Sequence, residues 1–170
     1  MSNYLVLTVL ADDRAGIVNQ IATTIKNHDG NWMESSMSRL AGKFAGILML
    51  EVDPAQQAAL EKDLAALASQ GIKISIDKSD ANSDDETELS CLEIVANDRA
   101  GIVGEISALL AKNGVNLVSL ETFCESAPMS ADMMFHAQIF AQLPETMSED
   151  QLTELIESLS DDLMVEIVEG

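Results

Sequence analysis

The residues best suited to chemistry form a hexapeptide that occurs twice in the chain. Residues 13–18 read Asp-Arg-Ala-Gly-Ile-Val, and residues 98–103 repeat the same six residues. In both places a strand-like run precedes the hexapeptide and a helix-like run follows it. The start of a helix offers unpaired backbone N–H groups and a partial positive charge, which attract a carboxylate. A glycine there lets the backbone approach a ligand closely, because no Cβ stands in the way.

The charged residues of the hexapeptide extend this picture of a small polar site. Asp13 and Asp98 can accept hydrogen bonds from an ammonium group, and Arg14 and Arg99 can pair with a carboxylate. A turn that attracts both charges suits a zwitterion, that is, an amino acid. A purely structural explanation is also open, since Asp is a common N-cap, glycine is a common turn residue, and the Arg side chains can point into water.

The hexapeptide belongs to a longer internal repeat. Residues 10–21 align with residues 95–106 at a constant offset of 85, and eight of the twelve positions are identical. The same offset places Asn31 on Asn116 and Trp32 on Leu117, so the register persists beyond the match. The chain therefore consists of two copies of one unit.

Each copy has the same predicted order of elements. In the first copy the apolar periodicity predicts four strands, at residues 4–10, 31–40, 44–52 and 72–76, with helices from Ile17 and Asp53-Pro54. In the second copy it predicts strands at residues 87–95, 116–125, 131–143 and 163–168, with helices at residues 102–111 and after the Ser148 capping box. This βαββαβ order predicts an α+β chain of two ferredoxin-like domains in tandem, each an antiparallel sheet with helices on one face.

The domain boundaries follow from composition. Residues 79–86 are polar, acidic and unpatterned, which predicts a linker between a first domain at 1–78 and a second at 87–170. A unit of about 80 residues buries a limited core, so we expect the two copies to pack together, and homo-oligomers are possible. The helix-free faces agree with this expectation because they are predicted to be partly apolar, through Val6, Met37, Met49, Cys91 and Val118.

The net charge of −20 is unevenly distributed. Residues 1–78 hold seven basic and nine acidic side chains, whereas residues 79–170 hold only Arg99 and Lys112 against twenty acids. Such a surface repels phosphate backbones, because non-specific nucleic-acid affinity comes from Lys and Arg. The charge predicts no direct DNA or RNA binding. It is explained either by solubility or by a docking face for a basic protein.

No motif predicts an enzyme, a metal site or a bound cofactor. His28 lies at a predicted helix end and His136 in an apolar strand, while Cys91 and Cys124 lack zinc-site spacing. No apolar run approaches the length of a membrane span, and no basic stretch precedes an apolar one at the start. With two cysteines and no disulfide framework, we expect a reduced cytoplasmic location.

The βαββαβ copies and their Asp-Arg-x-Gly-Ile-Val turns resemble the ACT domain, a module that binds amino acids and regulates metabolism. The resemblance covers both copies and nearly the whole chain, and residues 31–36, Asn-Trp-Met-Glu-Ser-Ser, add to it. A chain of two such domains with little else attached resembles transcriptional repressors of this family. Such repressors contact a DNA-binding transcriptional activator rather than DNA, so the resemblance implies a protein of that kind as partner.

The resemblance also implies a ligand and its contacts. Glycine or a related small amino acid is the expected effector, bound where the turns meet a neighbouring domain. The expected contacts are Asp13, Arg14, Gly16, Ile17 and Asn31 in the first copy, and Asp98, Arg99, Gly101, Ile102 and Asn116 in the second. The two Asn residues begin the second strand of each copy, where an amide could reach the ligand or simply serve the turn.

Three functions fit these residues. The first is a ligand-responsive transcriptional regulator acting through protein contact, and the second is a free-standing regulatory subunit of an amino-acid metabolic enzyme. The third is an interaction module without a ligand, in which the turns are only structural. The two sites need not be equivalent, because Asp12 is replaced by Asn97 and Glu34 by Ser119.

Overall fold

The computed structural model describes residues 1–80 and 87–169 of the 170-residue chain. The chain divides into two compact units, with the division between residues 85 and 86. Most of the predicted linker, residues 81–86, lies outside the described residues, and the last strand of the first unit ends at Ser79.

The first unit has the predicted βαββαβ order. Its elements are β1 (Asn3–Asp12), α1 (Ile17–Asn27), β2 (Asn31–Leu40), β3 (Lys43–Val52), α2 (Pro54–Ala66), a 3₁₀ turn (Leu67–Gln70) and β4 (Ile72–Ser79). The strands form one antiparallel sheet in the order β2-β3-β1-β4. Asp53 caps α2 as predicted, since its side chain accepts a hydrogen bond from the Ala55 N–H at 2.7 Å.

The second unit repeats this arrangement. Its elements are β5 (Ser90–Asn97), α3 (Ile102–Lys112), β6 (Asn116–Ser126), β7 (Met133–Gln142), α4 (Glu149–Glu157) and β8 (Met164–Val168). The sheet order is β6-β7-β5-β8, again antiparallel, and Ser148 and Gln151 form the predicted capping box of α4. The prediction of two ferredoxin-like α+β domains in tandem is therefore confirmed. Strand β5 begins three residues later than predicted, because its pairing with β7 starts only at Ser90, opposite Ala141.

Both cores are built from the same positions of the repeat. In the first unit Ile17, Ile21 and Ile25 of α1 are buried, and in the second unit the buried residues of α3 lie at the equivalent positions, 102, 106 and 110. Alternate strand residues face these helices, namely Leu5, Leu7 and Val9 in β1 and Leu92, Ile94 and Ala96 in β5. Each sheet thus has a helix-covered face and a helix-free face.

The helix-free faces are mixed in character. Val6 and Met49 of the first unit are half-buried there, Cys91 of the second is buried, and Val118 is exposed at the β-bulge of β6. The prediction for Met37 is wrong: it stands opposite Gly46, which is opposite the buried Val9, so Met37 packs against the core on the helix-covered face. Within the described ranges, no helix has both the length and the apolar character needed to cross a membrane.

Candidate functional site

The repeated turn lies at the same end of the sheet in both units. It follows the last residue of β1, where Asp12 stands opposite Lys43 of β3. The Asp13 N–H donates to the Gly42 carbonyl at 2.9 Å, and the Asp98 N–H donates to the Met133 carbonyl at 2.9 Å. The turn is therefore fastened to the neighbouring β-hairpin by an equivalent bond in each copy.

Glycine opens the helix in both turns. Gly16 and Gly101 hold the N-cap positions with φ values of 91° and 88°, a left-handed conformation that costs other residues strain. No described side chain caps either helix, so the alternative that Asp13 and Asp98 are N-caps is wrong. Asp13 and Asp98 lie three residues before the N-cap glycines, and neither side chain accepts a hydrogen bond from the first helical turn. The helix N-termini thus keep N–H groups for an external acceptor such as a carboxylate.

Arg14 is held by neutral partners. Its Nη2 donates to the Gln20 side-chain oxygen at 2.8 Å and to the Gln70 carbonyl at 3.1 Å, and the Gln20 amide also bonds to the Gln70 side chain. Among the described residues no carboxylate pairs with this guanidinium. The two hydrogen bonds from Nη2 use only part of the five N–H donors of the Arg14 side chain. The first turn therefore presents a positioned cation whose charge is uncompensated by direct contact.

Arg99 is held differently. Its Nη1 and Nη2 donate to the two carboxylate oxygens of Glu105 at 2.8 and 2.6 Å. This bidentate pair lowers the pKa of Glu105 and raises that of Arg99, chiefly through the hydrogen bonds themselves. Position 105 corresponds to position 20 of the first copy. Because Gln20 is replaced by Glu105 in the second copy, the Arg99 guanidinium is paired with a carboxylate of its own unit.

The surroundings of the two turns also differ in charge. Around the first turn Arg39 lies 3.5 Å from Asp13, Lys43 contacts Asp12, and Lys73 helps Lys43 to hold the pKa of Asp12 below its ordinary value. The strand registers replace Arg39, Lys43 and Lys73 in the second copy by Cys124, Met134 and Met164.

An acid is added at the second turn. The Asn97 N–H donates to the Asp162 carboxylate at 2.9 Å, and a hydrogen bond from Ser160 makes the largest contribution to the lowered pKa of Asp162. The side chains named above place four cations at the first turn, on Arg14, Arg39, Lys43 and Lys73, together with the carboxylates of Asp12 and Asp13. One cation and three carboxylates surround the second. An anionic group is therefore attracted to the first turn and repelled by the second.

Asn31 and Asn116 do not join the turns of their own units. Asn31 stands opposite Glu51 at the far end of β3, eight residues from Lys43, which corresponds to about 26 Å of strand. Asn116 stands opposite Gln142, equally far from Met134. Within one unit these amides therefore do not lie across the turn, because β2 and β6 begin at the opposite end of the sheet.

The other predicted residues divide by burial. Ile17 and Ile102 are 3% and 4% exposed and belong to the cores, so only their backbone N–H groups can face a ligand. Sequence analysis missed Gln20 and Glu105, although comparison of the two copies at these positions shows the change. It could not have found Gln70, since only the tertiary fold brings that residue to the turn.

The remaining candidate residues are two histidines and two cysteines. His28 pairs with Asp63 at 2.7 Å, and His136 pairs with Glu125 at 3.0 Å. Both cysteines are free thiols, with Cys91 buried and Cys124 exposed. In the parts of the chain that the structure describes, no group of three or more His, Cys, Asp or Glu side chains could hold a metal ion.

The fold and the paired turns define a class of protein built from two small ferredoxin-like domains in tandem. Comparison with protein families agrees: the ACT-domain profiles match residues 3–77 and again residues 92–160. The chain belongs to the ACT-domain family.

Two solved structures are similar over the whole chain. An unknown protein from Galdieria sulphuraria is 29% identical, with a TM-score of 0.79, and the match covers 99% of this chain and 100% of that protein. A candidate glycine cleavage system transcriptional repressor is 18% identical, with a TM-score of 0.74, covering 100% of this chain and 99% of its own. At that identity the second likeness shows the fold alone. No functionally curated protein matches the sequence.

Proposed function

We propose that this chain is an amino-acid-responsive regulatory protein whose first turn binds a small amino acid, with glycine as the foremost candidate. The observation that carries the proposal is the uncapped N-terminus of α1 beside Arg14, whose guanidinium has no carboxylate partner among the described residues. A zwitterion satisfies both features, since its carboxylate meets the N–H groups and the guanidinium.

The ammonium group of the ligand has an acceptor in the same turn. Asp13 is partly exposed, and its only ion pair among the described residues is the 3.5 Å contact with Arg39. That pair is long and solvated, so it contributes little stability and yields readily to a closer partner. Asp13 and Arg14 would thus hold the two charges of one amino acid.

The second turn would bind such a ligand less well. Arg99 is engaged by both oxygens of Glu105, and a ligand carboxylate would have to displace them next to Asp98 and Asp162. Breaking a bidentate charge-assisted pair offsets what the new contact contributes. We therefore assign the sensing role to the first copy.

We infer the regulated process from resemblance and charge. The structural likeness to a candidate glycine cleavage repressor supports transcriptional repression of that system, and the acid excess of the second half argues for action through a protein rather than through DNA. We propose contact with a DNA-binding transcriptional activator as the route. For glycine to change this contact, the free and bound states must differ in glycine affinity.

Calorimetry on a matched pair of variants tests the site. We expect glycine to bind the wild-type chain saturably, and Arg14→Ala to weaken binding by about tenfold to a hundredfold, the value of a charged hydrogen bond. Arg99→Ala is the control and should bind glycine as the wild type does. Absence of saturable heat with glycine, alanine or serine in the folded protein would contradict the proposal. Equal losses in the two variants would contradict the assignment to the first copy.

Affinity purification separates the remaining alternatives. The tagged chain is used to recover partners with and without glycine, and the partners are identified by mass spectrometry. A DNA-binding protein whose recovery depends on glycine would support the repressor. An amino-acid metabolic enzyme would instead identify a regulatory subunit, and recovery indifferent to glycine and to Arg14→Ala would indicate a ligand-free interaction module.

A further inference from the structure

The helix-free face of the second sheet carries a row of carboxylates. Glu121, Gln138, Glu93 and Glu166 stand directly opposite one another across β6, β7, β5 and β8. The neighbouring residues of β5, Leu92 and Ile94, are buried on the helix side, so Glu93 points away from the helices. We call Glu121, Glu93 and Glu166 the carboxylate row, and all three are exposed.

An apolar row lies next to it on the same face. Phe123, His136, Val95 and Met164 occupy the adjacent cross-strand positions. The rings of Phe123 and His136 stack with centroids 4.7 Å apart, yet Phe123 remains 58% exposed and Met164 63% exposed. A depression of about 220 Å³ lies between the two rows, with Phe123 and His136 on one side.

The carboxylate row lacks compensation within the described part of the chain. None of its three members forms an ion pair or a side-chain hydrogen bond there, and Glu93 and Glu166 are direct cross-strand neighbours, an arrangement that destabilises a sheet. The second half has only two Lys or Arg side chains. Arg99 is bound to Glu105, and Lys112 lies in the last turn of α3.

The first sheet does not share this pattern. The equivalent cross-strand row consists of Ser36, Ile47, Thr8 and Ser75, with no charged residue. Since both sheets have the same topology, the fold itself does not require the carboxylates. Solubility would be served as well by acids on the helices, where they cause no cross-strand repulsion.

We propose that this face docks a protein segment that carries at least two Lys or Arg side chains beside apolar ones. The inference deepens the proposed function and rests on it only for the existence of a protein partner. Adjacent strands lie about 4.8 Å apart, so Glu121 and Glu166 are about 14 Å apart and can meet cations along one short segment. The apolar row receives the aliphatic or aromatic neighbours, and an Arg can also stack on Phe123.

A peptide titration of the whole chain tests this docking face. The probe is a capped nine-residue peptide in which Arg and Lys alternate with Val and Leu, added to isotope-labelled protein at low salt and followed by NMR. We expect saturable shifts centred on β5, β6 and β8 of the second unit. The same peptide with Glu in place of the basic residues should cause none.

Two triple variants separate a defined site from general attraction. Glu93→Gln, Glu121→Gln and Glu166→Gln together should weaken binding by about tenfold, the summed value of three exposed ion pairs. The control, Glu145→Gln, Glu154→Gln and Asp161→Asn, makes the same change in charge at exposed positions outside the face, and should bind within about twofold of the wild type. Equal weakening in both triples, shifts centred elsewhere, or no saturable shifts would overturn the proposal.

This test is independent of the amino-acid site. The carboxylate-row triple should still bind glycine as the wild type does, because its substitutions lie outside the first unit. If the wild-type chain did not bind glycine, the proposed sensor would be refuted, but the peptide result would still stand. A missing peptide response beside intact glycine binding would refute only the docking face.

Discussion

At the scale of single residues, two guanidiniums in identical hexapeptides have different chemical states. Arg14 rests on the neutral oxygens of Gln20 and Gln70, whereas Arg99 is clamped by the Glu105 carboxylate. The hexapeptide is unchanged, so the difference arises from a residue six positions later and from distant neighbours. Two identical hexapeptides can therefore form sites with different binding properties.

A single exchange should transfer the state of the second turn to the first. In Gln20→Glu the new carboxylate can pair with Arg14 as Glu105 pairs with Arg99, and we expect glycine affinity to fall by about tenfold because the ligand must displace that pair. Thr23→Glu, an exposed position farther along α1, adds the same charge as a control and should change the affinity less. Calorimetry measures both, and equal effects would show that only the overall charge matters.

At the scale of elements, the sheets position the turns and also limit substitutions. Strands β2 and β3 approach closely at Gly46, where a β-carbon would press on the Ser36 carbonyl and lie 2.6 Å from the Met37 Cα. Because these contacts are with backbone, they cannot be relieved by rotating a side chain. The hairpin that fastens the first turn therefore depends on this glycine.

Gly46→Ala should destabilise the β2–β3 hairpin by about 1–3 kcal/mol, the usual cost of overpacking. The control is Gly104→Ala in α3, where a new β-carbon meets no atom within 4 Å. Alanine there should stabilise the helix by about 0.5–1 kcal/mol. Native-state hydrogen exchange measures each locally, and unchanged protection of β2 and β3 in Gly46→Ala would contradict the expected clash.

At the scale of the whole molecule, the two units have separate cores and unequal charge. The buried residues form one cluster in each unit. Residues 1–80 hold seven basic and ten acidic side chains, and residues 87–170 hold two basic and sixteen acidic. Self-repulsion therefore falls mainly on the second unit.

Each half expressed alone should fold, and salt should affect the two halves differently. We expect sodium chloride to raise the melting temperature of residues 87–170 clearly and that of residues 1–80 little, because salt screens the repulsion among exposed acids. Circular dichroism melts over a series of salt concentrations measure this. Parallel salt responses would mean that net repulsion does not limit the stability of the second half.

Much of the architecture was predictable because it is encoded locally. The offset of 85, the strand alternation and the helical stripes predicted both βαββαβ units and placed Asp13, Arg14 and Gly16 in one turn at the start of a helix. Such signals depend on residues a few positions apart, so a single sequence displays them. The sequence by itself also determined the uneven distribution of charge.

Only the tertiary structure decided which groups meet. The direction of β2 moved Asn31 to the far end of the sheet, the fold brought Gln70 to Arg14 across 56 positions, and strand register aligned the carboxylate row. Register and strand order are set by the burial of whole faces, and a local pattern fixes them only in part. The chemical difference between the two turns is therefore encoded in the sequence, but it can be identified only in the tertiary structure, which shows the partners of Arg14 and Arg99.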